Sequence, residues 1–134
     1  FIMEVTTIRQ RATFAASPEK VYDALMNARS HSRFTHQKAR IGKKVGDPFI
    51  SLDGYIDGVN LALDPGKRIV QSWRAHQIGW PELHYSQISV RLEAIANGTR
   101  MILRHERVPA QLAARLRHKW HSTYWVPLKA MLNK

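Results

Sequence analysis

Residues 99–131 read TRMILRHERVPAQLAARLRHKWHSTYWVPLKAM, and the fold turns on a change of period inside them. Up to Arg107 the period is two: Met101, Leu103 and His105 share one face of a strand. After Pro109 it lengthens. Leu112, Leu116, Trp120, Tyr124 and Leu128 recur every four residues, with Ala113, Thr123 and Met131 beside them, which is the apolar stripe of one amphipathic helix. Pro127 lies inside that stripe. An interior proline removes a hydrogen bond and clashes with the preceding turn, at about 3 kcal/mol if unrelieved. A kink or break is therefore expected near Trp125.

Working back from this stretch, period two persists. Asn97-Gly98 is a tight hairpin signal, preceded by a strand over Leu83–Ala96 in which Ile88, Val90, Leu92 and Ala94 alternate with Gln87, Ser89, Arg91 and Glu93. Further strands are read over Arg68–Gln77, Tyr55–Leu63, Pro48–Leu52 and Lys38–Lys44, separated by Asp64-Pro65-Gly66, Asp53-Gly54 and Val45-Gly46-Asp47. Before them, Ser17-Pro18 is an N-cap followed by a proline at the first helical position, so a helix runs from Pro18 to about Asn27. A second short helix spans Ser30–Thr35 and carries Phe34 inward. Residues 5–15, with Ile8, Gln10, Ala12 and Phe14 on one side, form the first strand.

The order is strand, two helices, six hairpin-linked strands, long helix. Hairpin-linked strands make an antiparallel sheet with one face that needs a cover. Only the C-terminal helix is long and apolar enough to supply it. The expected fold is α+β: a curved antiparallel sheet of about seven strands, two short helices after the first strand, and the last helix across the concave face. A concave space between sheet and helix is where ligand pockets form.

The chain has 134 residues, which suits a single domain over residues 3–134, and Phe1-Ile2 reads as a non-native scar ahead of a start at Met3. It has no cysteine, which excludes a disulfide framework, a thiolate nucleophile and sulfur-ligated zinc. No apolar run approaches the ~18 residues of a membrane span, and no export signal opens the chain, so a cytoplasmic location is expected. The net charge of +11 is concentrated. Residues 27–46 hold six cations and no acid, residues 107–134 hold six more and no acid, and the remainder is nearly neutral. Such a field favours polyanions: nucleic acid, an anionic membrane or an acidic protein. Lys43, Lys44, Arg115, Arg117 and Lys119 are the candidates for a partner-binding basic surface. No nucleic-acid motif or run of stacking aromatics accompanies the charge, so nucleic acid is not the expected partner.

Five stretches in order resemble a known family: Ser17–Leu25, Arg33-Phe34-Thr35-His36, Gly54–Asn60, Arg68–Arg74 and Trp80–Tyr85. The element order resembles the helix-grip fold of the SRPBCC superfamily, which includes START lipid-transfer domains, the birch-pollen-allergen type and polyketide cyclases. The five stretches resemble, within it, the activator of heat shock protein 90 ATPase family, as its C-terminal domain and small stand-alone relatives. The resemblance implies a non-enzymatic binding domain with a hydrophobic cavity under the last helix, for an apolar small molecule or lipid. The alternatives are a chaperone cofactor or other interaction module using basic faces on an acidic protein, and a cyclase-like enzyme on the same fold. Family members of the eukaryotic type carry a further N-terminal domain with the main chaperone contact, which has no counterpart in these 134 residues.

Catalytic material is sparse. His118 and His121 are three apart but lie among cations, so no metal site is assigned, and no cofactor is called for. Ser17 is a cap, and Ser86 and Ser89 lack a glycine-rich elbow. Asp53, Asp57 and Asp64 fall at or near turns, where backbone reasons explain them. What remains is the presumed pocket, with Phe34, Trp73, Met101, His105, Trp120 and Tyr124 as its candidate lining.

Overall fold

Strand pairing follows the alternation of the chain. In the structure, a computed structural model that describes residues 3–133, the strands are β1 Val5–Phe14, β2 Arg40–Ile41, β3 Pro48–Ser51, β4 Ile56–Asp64, β5 Arg68–Ala75, β6 Ser86–Ile95 and β7 Gly98–Pro109. The reading of Phe1-Ile2 as a scar falls outside the described residues. The strands form one antiparallel sheet in the order β1-β7-β6-β5-β4-β3-β2, so every consecutive pair from β2 to β7 is a hairpin and β1 closes on β7. Register puts Ile88 beside His105 and Val90 beside Leu103, all facing the interior. Gly98 and Gly58 are fixed by close approach: a Cβ would collide with the Phe14 carbonyl in the first case and the Ser72 carbonyl in the second.

Two strands depart most from the expected bounds. Lys38–Lys44 pairs only at Arg40 and Ile41, because Lys38 and Lys44 donate their N–H groups to Asp53 and Asp47 side chains instead of to a ladder. The strand read from Leu83 begins at Ser86, and Leu83 is exposed in the preceding loop. Asp53-Gly54 is not a two-residue hairpin. It ends a single 3₁₀ turn, Leu52–Gly54, with positive φ at all three residues.

The covering layer starts with α1 (Pro18–Met26) and α2 (Ala28–Thr35). Ser17 caps the first through the Lys20 N–H, and Asn27 caps the second through the Ser30 N–H at 3.1 Å. A 3₁₀ turn at Ala110–Leu112 leads into the last helix, which consists of α3 (Ala113–Lys119), a π-helical turn (Trp120–Trp125) and α4 (Val126–Leu132). The kink or break expected near Trp125 takes the form of this π turn, which ends at Trp125 without breaking the helix. The Val126 N–H reaches the carbonyl of His121, five residues back, and Pro127 falls in the first turn of α4, where its missing N–H is harmless. The widened turn thus absorbs the proline, and backbone angles stay helical throughout.

Candidate functional site

The π turn decides what the helix presents to the sheet. Residues five apart are about 140° apart on an α-helix, yet Trp120 and Trp125 are both buried and stack with their rings 5.3 Å apart and 8° from parallel. The wider turn brings them into line. Trp73 on β5 lies 5.6 Å from Trp120, Trp80 lies 5.8 Å beyond Trp73, and Tyr124 and Phe34 continue the series at 4.8 and 5.8 Å. One continuous aromatic seam joins sheet, last helix and α2. Trp125 was absent from the sequence candidates because a spacing of four skips it. Pro127 is the signal that could have found it.

Each polar group in this interior has an assigned partner. His105 is fully buried, accepts at Nδ1 from the Trp120 indole N–H (3.1 Å), and so carries its proton on Nε2, which donates to Ser86 Oγ (2.8 Å). The Ser86 hydroxyl donates onward to the Trp73 carbonyl at 2.7 Å. Burial pushes the His105 pKa down to about 3. A neutral histidine that donates to a serine cannot take that serine's proton, so the pair is not a nucleophile with its base.

A second relay lies one layer away. His31 Nδ1 faces the Leu25 carbonyl at 3.0 Å, which can only accept, so Nε2 accepts from the Tyr124 hydroxyl at 3.0 Å. Ser51 then donates to the same hydroxyl at 3.1 Å. Burial lowers the pKa of His31, against the opposing pull of the Leu25 carbonyl, and burial raises that of Tyr124, only partly offset by Ser51. Nearby, Gln71 donates to Asn60 Oδ1 at 2.9 Å, and Asn60 ties down the β2–β3 hairpin through the carbonyls of Gly42 and Lys44.

Two small spaces lie between sheet and helix, one of about 10 Å³ and a larger one of about 30 Å³, room for a water molecule. Trp73, Trp120 and Tyr124 border the larger one, together with Met26, Ile41 and Trp125. Phe34, Met101 and His105 do not. Phe34 packs behind Tyr124, Met101 is fully buried on β7, and His105 lies behind the Trp73 and Trp120 rings.

The basic candidates separate. Lys43 and Lys44 are exposed in the β2–β3 hairpin, held against Asn60 in the middle of β4. Lys119 lies over the Tyr55 ring at 4.5 Å, at the start of β4, and Arg115 is near enough to lower the pKa of the same tyrosine, which burial raises. The Arg117 carbonyl accepts from Gln10 on β1. These five side chains therefore occupy more than one surface. Asp57 is the second residue of β4, just past the Leu52–Gly54 turn, and gathers Arg74, His76 and Tyr85. Burial alone would raise its pKa, but the hydrogen bonds from His76, Tyr85 and Arg74 outweigh that and hold it below the usual value. Among the described residues no three histidines or carboxylates come together as metal ligands, and no helix is long and apolar enough to cross a membrane.

Residues 15–133 match the model of the "Activator of Hsp90 ATPase homolog 1-like protein" family. The chain belongs to this family. It is 30% identical over 122 residues to the human "Activator of 90 kDa heat shock protein ATPase homolog 1", covering 91% of this chain and 36% of the human protein. A Dictyostelium discoideum activator homologue is 32% identical over 84 residues, covering 63% of this chain and 21% of its own. The chain thus spans about a third of the length, or less, of these curated relatives. Among solved structures, an HSP90 activator from Plasmodium falciparum superposes with a TM-score of 0.87 at 22% identity, covering 94% of this chain and 95% of the other. An Aha1 dimer from Colwellia psychrerythraea superposes at 0.81 with 24% identity, covering 96% of each chain. Both likenesses share the helix-grip fold of the SRPBCC type expected from the element order.

Proposed function

We propose that this activator-family chain is a non-enzymatic protein-docking domain that binds a 90 kDa heat shock protein and raises its ATPase rate. One observation carries the reading: in a member of this family the concave face is closed, with open spaces of only about 30 and 10 Å³ and both buried histidines committed to structural hydrogen bonds. Binding then falls to the exterior, which carries the net charge of +11. The proposal treats residues 3–134 as one domain and includes a cytoplasmic setting.

The test follows ATP hydrolysis by a 90 kDa heat shock protein as the chain is added. A rise that weakens from low to moderate salt is expected, since exposed charges are screened over about 10 Å at 0.1 M. A rate that stays unchanged at every concentration of the chain contradicts the proposal.

A second reading places an apolar small molecule or lipid between sheet and helix. It draws on the slot bordered by Met26, Ile41 and Trp73. Ligand pockets for such molecules run to about 300 Å³ or more, so the last helix would have to move outward. An environment-sensitive apolar dye tests this reading. Binding that Tyr124→Trp reduces, with the fold intact, supports it, and no binding excludes it.

A further inference from the structure

The outward face of the sheet holds a charge pattern that a count along the chain conceals. Arg9 and Arg11 on β1, Arg100 and Arg104 on β7, Arg91 on β6 and Arg68 on β5 are all exposed and all point away from the helix, since their strand neighbours of opposite parity are buried or half-buried. Register draws them together. Arg9 is directly opposite Arg104. Arg11, Ile102, Arg91 and Arg68 form one row across four strands, with neighbouring strands about 5 Å apart. All six cations are arginine, whose planar fork binds carboxylates through two hydrogen bonds.

This arrangement works against stability. Like charges directly opposite in a sheet are unfavourable, and the face contains two such pairs, Arg9 with Arg104 and Arg68 with Arg91. The acids present relieve it only in part: Glu106 pairs with Arg104 at 3.4 Å and Asp64 with Arg68 at 3.3 Å, all on exposed or half-exposed side chains, and Glu93 stands opposite Arg100. Local rules broken without a gain in stability mark functional surfaces.

We propose that this arginine face docks an acidic segment of a protein partner. One feature favours carboxylates on a protein over a nucleic acid: the outward positions of β1, β7 and β6 carry no aromatic ring on which bases could stack. The inference rests on the reading of the chain as a protein-docking domain and names the surface that does the docking.

The experiment compares two variants with the same change in net charge. One carries Arg9→Gln, Arg11→Gln, Arg91→Gln and Arg104→Gln. The other carries Lys43→Gln, Lys44→Gln, Arg115→Gln and Arg117→Gln. The probe is poly-L-glutamate, with polyuridylate and phosphatidylserine vesicles as parallel arms. The sheet variant should bind poly-L-glutamate about tenfold or more weakly, and the other variant within about threefold of the unaltered chain. The sheet variant should also melt no lower than the unaltered chain, because it removes both like-charge pairs. Should it unfold, Arg11→Gln and Arg91→Gln singly carry the test, each weakening binding about twofold to threefold. Equal loss in both quadruple variants would reduce the effect to net charge and overturn the proposal. So would arginine-dependent binding of polyuridylate or vesicles that exceeds that of poly-L-glutamate. A chain that binds poly-L-glutamate through these arginines yet leaves the chaperone's ATPase unchanged would sink the activator reading and uphold this one.

Discussion

The two faces of one sheet obey opposite rules. On the concave side residues such as Trp73, Ile88, Val90, Met101 and Leu103 are buried under the helices, and even the polar residues there, His105, Ser86 and Gln71, are tied into hydrogen bonds. On the convex side the alternate residues meet solvent, and arginines stand opposite arginines with few acids to relieve them. The first face is arranged for stability and tolerates no unpaired group. The second gives up stability, which points to a surface kept for a partner. The difference is that the buried His105–Ser86 pair is fixed by its hydrogen bonds to Trp120 and Trp73, whereas the exposed like-charge pairs have no such buried partners and are the basis of the proposed docking face.

The comparison can be broken first at the seam. Trp120→Ala removes a side chain that is 4% exposed, stacks on Trp125 and holds His105 Nδ1. It should destabilise the domain by about 3–5 kcal/mol in urea melts. A change below about 1 kcal/mol would mean that the helix does not seal the sheet.

Acid should act next. The folded His105 protonates only near pH 3, while in the unfolded chain it protonates near its ordinary 6.5. Between those values the unfolded state binds the extra proton. Stability is therefore complete above about pH 6.5 and falls as pH drops toward 3, by about 1.4 kcal/mol per pH unit for one such group. His31 is shifted in the same direction and adds to the fall. Urea midpoints from pH 7 to 5 check this above the range of carboxylate titration. A flat profile would show that the histidines are solvated.

Tyr124→Phe is a smaller test of the same face. It leaves His31 Nε2 and Ser51 Oγ without their shared partner and should destabilise by about 1–2 kcal/mol, while retaining the ring contacts. The smallest effect is expected on the convex face and has the opposite sign. Arg9→Thr should stabilise by about 0.2–1 kcal/mol by relieving its contact with Arg104, and the gain should shrink in high salt. A loss of stability would mean that the arginines support the sheet.

Much of the concave face was legible in the sequence. Periods of two and of four place Met101, Leu103, Ile88, Trp120 and Tyr124 in the interior, where burial confirms them. Trp125 was not legible by periodicity, because a π turn changes the period only where Pro127 forces it to. Arg9, Arg11, Arg68, Arg91, Arg100 and Arg104 were passed over for a different reason. They lie in segments whose acids balance them along the chain, and only cross-strand register brings them onto one surface. Cations contiguous in sequence, such as Lys43 and Arg115, were the more conspicuous and are the more scattered in space.

The most direct measurement of this contrast is a nitrogen–proton correlation spectrum of the isotope-labelled chain, recorded as poly-L-glutamate is added. The guanidinium and backbone signals of Arg9, Arg11, Arg91 and Arg104 should move in proportion to the bound fraction, while the indole signals of Trp120 and Trp125, held by His105 and Gln10, stay in place. Indole signals that move while the arginines remain still would place binding between sheet and helix, and would contradict the account.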